Sequence, residues 1–218
     1  TAATSERLSS MAEAAHPDVM AAAVREVEGV QVEVFAPPGL VAVTPRKFGD
    51  ARGFLSETCS RRRFAACGID VDFVQDNHSH SAPAGTIRGL HFQVPPHGQG
   101  KLVRVVRGAV LDVVVDLRHG SPAFGRPVAI ELSAANWRQL YVPPGFAHGF
   151  CTLLPDTEVV YRMTSYYAPE ADRGIAFDDP DLAIAWPVAP AAAVLSDKDR
   201  RHPRLRDLGP IFRLGDAP

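Results

Sequence analysis

The chain has 218 residues, 46% of them hydrophobic, with 23 Lys and Arg against 25 Asp and Glu and a formal net charge of −2. That apolar fraction builds a packed core and excludes a disordered chain. The near-neutral balance gives no basic field for nucleic acid or an anionic membrane, so an anionic ligand must be held by a few local Arg and Lys side chains.

Three widely spaced cysteines, Cys59, Cys67 and Cys151, form neither a disulfide framework nor a paired metal knuckle. No apolar run approaches membrane-spanning length, and the N-terminus lacks the charged-then-apolar order of a secretion signal. A cytoplasmic protein with reduced thiols is expected.

Residues 1–34 are Ala-rich and carry Ser9 or Ser10 as helix caps with Pro17 interrupting. They read as a helical or partly disordered extension. The boundary falls at the turn material FAPPG (35–39), and residues 35–218 form the main domain with its tail. Residues 40–44 are a β-type run, 50–58 a turn entering a strand, and RRRFAAC (61–67) a short helix closed by Gly68. A strand over 71–76 leads into QDNHSHSAPAGTIRGLHFQ (75–93). Its first part reads as a Ser-, Pro- and Gly-containing loop. Its last part, TIRGLHFQ, alternates as a half-buried strand does, so some polar side chains face an interior.

Residues 100–108 and 109–118 are β-branched runs joined at Gly108, a hairpin or a tight bend. In the second, Val110, Asp112, Val114 and Asp116 share a face. Asp112 is therefore either a satisfied structural carboxylate or a group facing a polar pocket. Further strands follow at 127–132 and 138–142, then PPGFAHGF (143–150) and a hairpin pair at 151–154 and 158–163. The tail from Leu195 is charged and is expected to cover one end of the domain. Roughly nine to twelve short strands with Gly and Pro turns, and no strand–helix alternation, predict an all-β, cupin-like jelly-roll double-sheet barrel that can hold a ligand.

His78-x-His80, His91 and His148 raise a metal site, but no carboxylate follows the first pair about four residues on, as metal-dependent barrels of this kind would have. No metal is expected. Nor is there a nucleophile elbow, a phosphate-cradling glycine loop or a Cys–His pairing. What remains are acid–base and anion-binding groups.

Taken in order, FGDARGFLSE (48–57), FVQDNHS (73–79), IRGLHFQ (87–93), QGKLVRVVRGAVLDVVVDLR (99–118), LSAANWRQLYVPPGFAHGF (132–150), VVYR (159–162), YYAP (166–169) and LSDKD (195–199) closely resemble the dTDP-4-dehydrorhamnose 3,5-epimerase family. The resemblance runs from about Leu40 to Arg200. It implies a jelly-roll homodimer that uses no cofactor and inverts carbons 3 and 5 of the small-molecule substrate dTDP-4-dehydro-6-deoxy-D-glucose. It places the base on His91, the acid on Tyr161, the histidine's aspartate on Asp199, a second supporting carboxylate on Asp112 and the enolate-facing charge on Lys101. Nucleotide and sugar contacts map to Arg52, Glu57, Gln75, Asn77, Arg88, His148, Asp172 and Lys198, although the family usually has glutamate at the position of Asp172.

The chemistry agrees with that placement. A ketone at carbon 4 makes the protons on both neighbouring carbons removable as an enolate, and histidine, with a usual pKa of about 6.5, is neutral enough to take them. Inversion needs a donor across the ring, and tyrosine, at about 10, keeps its proton until needed. A single-carbon epimerase, a ketoisomerase and a non-catalytic sugar-nucleotide binding barrel stay open as alternatives; the full His91, Lys101, Tyr161 and Asp199 set speaks against the last two.

Overall fold

The computed structural model describes residues 21–215. Strands β1 (Ala23–Val27), β2 (Val30–Val34) and β3 (Val41–Pro45) are followed by a small arm, β4 (Phe48–Asp50) and β5 (Gly53–Leu55), and by helix α1 (Arg61–Ala66). Next come β6 (Gln75–Ser81), β7 (Ile87–Gln93), β8 (Lys101–Arg107), β9 (Ala109–Asp116), β10 (Arg118–His119) and β11 (Pro127–Ser133). The last strands are β12 (Gln139–Val142), β13 (Phe146–Thr152), β14 (Thr157–Met163), β15 (Asp172–Gly174) and β16 (Phe212–Arg213).

Two sheets face each other: seven strands in the order β1-β2-β3-β12-β8-β14-β6 and five in the order β11-β9-β13-β7-β15. The fold is the all-β jelly-roll barrel that the strand count and turn spacing predict. Val103, Val105, Val110, Val114, Leu140, Phe146, Phe150 and Val159 pack between the sheets. The alternating residues of β9, Leu111, Val113 and Val115, point the other way and are covered by Ile175, Leu182 and Phe212. On the outer face of the larger sheet, Phe64 of α1 and Ile69 pack against Val30, Val32, Val41, Val43, Leu102 and Tyr141. Gly68, at φ +95, ends α1 with its N–H on the Ala65 carbonyl, a conformation that favours glycine.

Several sequence expectations give way here. The end of the N-terminal extension is not helical: β1 and β2 form a hairpin turning at Glu28 and Gly29, both at positive φ, and β2 pairs with β3. The alternation of Val30, Val32 and Val34 with Gln31 and Glu33 outweighs the Ala-rich context, because it presents buried valines to the sheet. Residues 1–20 of that extension lie outside the described residues. The strand expected at 71–76 begins instead at Gln75 and takes in His78 and His80, read above as loop histidines. As an edge strand, β6 tolerates polar residues on its exposed face, where His78 lies 2.9 Å from Glu158 and His80 3.3 Å from Asp156.

At Gly108 the tight bend forms and not the hairpin, and the hairpin expected at 151–154 and 158–163 does not form. Strand β8 pairs with β12 and β14, whereas β9 pairs with β11 and β13, so Gly108 bends the chain from one sheet to the other. It does so at φ +81, where an added Cβ would come 2.3 Å from Thr157 Oγ1. Strands β13 and β14 likewise belong to opposite sheets. A jelly roll sends successive strands across the sandwich, and a pair of apolar runs looks the same in either arrangement. The crossings matter because they place neighbouring segments on opposite walls of one interior.

Candidate active site

The interior opens into a cavity of about 440 Å³ lined by Thr86, Ile87, Arg88, His91, Lys101, His148, Phe150, Tyr161, Val194, Leu195, Ser196, Lys198 and Asp199. Three walls contribute. Arg88 and His91 come from β7, and His148 and Phe150 from β13, all in the five-stranded sheet. Lys101 on β8 and Tyr161 on β14 come from the seven-stranded sheet opposite. The tail supplies the third wall, from Val194 to Asp199.

Strand β7 carries His91 inward because Leu90 and Phe92 are buried outward among Ile175 and Phe212, which leaves His91 on the other face of the pleat. The close approach of β7 to β13 depends on two glycines. A Cβ on Gly89 would lie 2.4 Å from Gly149 Cα, and Gly89 sits at φ +140.

His91 Nε2 lies 2.6 Å from Asp199 Oδ1, in a carboxylate only 4% exposed. With its Nε2–H turned to Asp199, the ring keeps its lone pair on Nδ1. Burial pushes the His91 pKa below the usual histidine value, with the Asp199 bond opposing, so the ring is held neutral. Burial alone would raise Asp199, but its contacts with His202, His91 and Ser196 hold the carboxyl well below the usual range and keep it ionised. Lys101, 9% exposed, donates from Nζ to the His91 carbonyl at 3.3 Å, and burial pushes its pKa down to about 8.

Asp112 is fully buried and faces the interior, but its partner is not His91. Both carboxylate oxygens contact His148 Nε2, at 3.1 and 3.0 Å. The register of β9 against β13 pairs Val114 with His148 and Asp112 with Phe150, and this brings the two polar side chains together. The expected support of His91 by Asp112 is therefore corrected: Asp112 orients His148, a cavity-lining group.

Arg88 is fixed by bonds to Ser81 Oγ at 3.1 Å and the His80 carbonyl at 2.9 Å. Lys198 pairs with Asp172, which also accepts from Tyr167 at 2.9 Å. Burial raises the Asp172 carboxyl, and the Lys198 and Tyr167 bonds outweigh that and lower it.

Five expected substrate contacts do not line the cavity: Asp172, held by Lys198 and Tyr167, and four others. Gln75 and Asn77 bond each other at 3.0 Å beside Met163, and Asn77 lines a separate groove with Arg104 and Arg162. Arg52, 90% exposed, pairs with Asp50 on the β4–β5 arm, and Glu57 lies 3.7 Å from Arg63. Conversely, sequence reasoning missed Ser196, Leu195 and His202. The last stands three residues after Asp199, with Nε2 3.4 Å from its Oδ1. His91, Asp199 and His202 offer three metal-ligand atoms within 4.8 Å of one another, with His91 and Asp199 in a short hydrogen bond. Cys151, whose thiol burial pushes up to about 12, is a core residue and no nucleophile.

The profile of the family described as dTDP-4-dehydrorhamnose 3,5-epimerase matches residues 35–207. This chain belongs to that family. A dTDP-4-dehydrorhamnose 3,5-epimerase from Sinorhizobium fredii is 52% identical over 171 residues, covering 78% of this chain and 87% of the relative. The crystal structure of the Legionella pneumophila dTDP-6-deoxy-D-glucose-3,5-epimerase in complex with dTDP-4-keto-L-rhamnose superposes with a TM-score of 0.76. It is 42% identical and covers 81% of this chain and 94% of its own. A Streptomyces bikiniensis 3'-monoepimerase in complex with dTDP-quinovose superposes with a TM-score of 0.72 at 37% identity, covering 78% of this chain and 85% of its own. The chain is thus an epimerase of the isomerase class. The β1 strand lies N-terminal to the family match, and the hairpin it forms with β2 adds to the edge of the larger sheet. Among the described residues no helix is long and apolar enough to cross a membrane.

Proposed function

We propose that this epimerase inverts carbons 3 and 5 of dTDP-4-dehydro-6-deoxy-D-glucose, with His91 as base and Tyr161 as acid. One observation carries the reading: His91 and Tyr161 line the same cavity from opposite sheets, so a sugar ring between them meets a base on one face and a donor on the other. Proton removal and return on the same face would restore the starting configuration; inversion requires the two walls.

In each step His91 Nδ1 takes the proton from the carbon beside the ketone, and the electron pair moves onto the carbon-4 oxygen as an enolate. Asp199, ionised and bonded to Nε2–H, stabilises the imidazolium formed. Lys101, charged below about pH 8, offsets the enolate charge. Tyr161 then protonates the carbon from the far side as the enolate collapses to the ketone. His91 is left protonated and Tyr161 deprotonated, so both exchange protons with water before the second carbon reacts, and solvent hydrogen enters at each inverted carbon. Arg88 suits the diphosphate through forked hydrogen bonds, and His148 and Lys198 face the sugar.

The working unit is a homodimer. The β4–β5 arm exposes Phe48, Phe54 and Leu55, an apolar surface that suits a contact between two copies, through which Arg52 and Glu57 would be carried to the partner's cavity. Free thiols in a chain with no spanning helix among its described residues fit a cytoplasmic enzyme.

The test is turnover of dTDP-4-dehydro-6-deoxyglucose in heavy water, with a 4-dehydrorhamnose reductase and NADPH as trap. Deuterium at both carbons with dTDP-L-rhamnose formed supports the reading. Label at one carbon without rhamnose supports the second reading, a single-carbon epimerase, which the likeness to the 3'-monoepimerase favours. No label at either carbon overturns both.

A further inference from the structure

The proposed mechanism uses Asp199 through one neighbour, yet the structure gives the carboxylate two. His202 follows the single turn Asp199–Arg201 that carries the aspartate, and its side chain is 9% exposed. Its Nε2 is buried without an aligned hydrogen-bond partner and lies 3.4 Å from Oδ1, the oxygen that His91 also contacts. The two imidazoles meet edge to face, with centroids 5.5 Å apart and planes at 74°.

The fold makes room for this ring at one place. Gly174 on β15 pairs directly with His91 on β7, and the Ala176 N–H anchors the Pro203 carbonyl next to His202. A Cβ on Gly174 would lie 2.4, 2.5 and 2.6 Å from His202 Nε2, Cε1 and Cδ2. Gly174 has no positive φ to accommodate, so its backbone would accept alanine; the space taken by the His202 ring is what requires glycine there.

We propose that His202 is a positioning residue for the proton-abstracting pair. Its ring fills the space that Gly174 leaves behind His91, closes the flank of Asp199 against water and holds the carboxylate on the His91 Nε2–H. Asp199 needs such a support because it sits on a three-residue turn of the tail, tied locally by its own N–H to Ser196 Oγ at 3.1 Å. His202 does not line the cavity, so it acts through Asp199 and not on the substrate. The charged and titratable groups around His91 are Asp199, Lys198 and His202 from the tail, Lys101 from β8 and Asp172 from β15.

The inference rests on His91 being the base, and loss of solvent exchange in His91→Ala tests that separately. His202→Ala admits water behind the pair, and burial is the largest influence lowering the His91 pKa, so the acid limb of kcat/KM should move up toward the usual histidine value. The kcat should fall about tenfold, short of the roughly 10²- to 10⁴-fold effect of general acid–base groups, while KM stays within about twofold. His202→Gln, which refills much of the space the ring occupies, should recover most of kcat. Gly174→Ala in the wild type should reproduce the loss by displacing the ring, and in the His202→Ala background it should add nothing, because the ring it would strike is gone. An acid limb and kcat unchanged in His202→Ala overturn the proposal. So does a Gly174→Ala penalty that persists in full without the ring. Should His202→Ala fail to fold, Gly174→Ala alone decides by the same readouts: an unchanged acid limb and kcat with the ring displaced overturn the proposal. A wild-type enzyme that exchanges normally but is indifferent at position 202 sinks this proposal and leaves the proposed function standing.

Discussion

Lys101 is the residue whose role can be separated most cleanly from its cost. It is 9% exposed, and its pKa falls from 10.5 to about 8, burial outweighing the attraction of Asp172 and Asp112. The sign is fixed by linkage. The unfolded chain binds the lysine proton more tightly, so the penalty is full below about pH 8 and fades as pH rises toward 10.5. At about 1.4 kcal/mol per pH unit, the difference is about 3 kcal/mol at neutral pH. Lys101→Met removes that penalty and fills the space with an apolar chain, but leaves the His91 carbonyl without its donor, a loss of about 1 kcal/mol. The net gain of about 2 kcal/mol should raise Tm by roughly 4–8 °C in a chain of this size. Turnover should fall about 10²- to 10³-fold, as when an oxyanion donor is removed. Scanning calorimetry at pH 7 and at pH 10 provides the check, the stability gain shrinking at the higher pH. A variant no more stable than wild type at pH 7 would refute the claim that a strained buried charge is kept here for catalysis.

The pH–rate profile should be a bell. Its acid limb lies below the usual histidine value because His91 must be neutral and burial lowers its pKa, and its alkaline limb lies near 8, where Lys101 loses its charge. An acid limb above about 6.5 would contradict a buried base. Asp112→Ala should cost about 3 kcal/mol in urea unfolding, since it leaves the buried His148 Nε2 unpaired, whereas Asp112→Asn, which keeps an acceptor, should cost about 1 kcal/mol. Equal costs would mean that the pair is not what the carboxylate is for. Tyr161→Phe should slow inversion more than loss of the substrate's own hydrogen; if both fall together, Tyr161 is not the selective donor.

How legible the site was depends on whether a contact is set within one strand or across the fold. The TIRGLHFQ alternation was enough to turn His91 inward, because a pleat with Leu90 and Phe92 buried on one side leaves the other side for polar work. The same logic put Asp112 on one face with Val110 and Val114 but left open whether it was a satisfied structural carboxylate or faced a pocket. Its partner was another matter, since that depends on the register of β9 against β13, and a shift of one residue would have sent His148 to the other face. His78 and His80 were misplaced for the opposite reason: an edge strand relaxes the alternation rule, so its polarity resembles that of a loop. The valines of β2 held a clear period of two that the alanines before them obscured. Asp199 came only from the family pattern, for no spacing joins residues 108 apart.

The tail shows why such a distant carboxylate is used at all. The tail completes the cavity from Val194 to Asp199, and Thr86 pairs with Val194 where it enters. The two sheets of a sandwich stand about 10 Å apart and supply two opposed walls, one for the base and one for the acid. A third group that must bond the outer nitrogen of the base cannot come from either wall without displacing substrate or crossing the pleat. A segment entering from the side can, and it needs its own scaffold to stay there. The tail has one: Trp186 Nε1 donates to the Phe177 carbonyl at 2.7 Å, and Asp179 accepts the Leu205 N–H at 2.7 Å on either side of the Asp199 turn. On this reasoning the barrel alone, without the tail, would bind a sugar nucleotide between its walls and fail to take its proton.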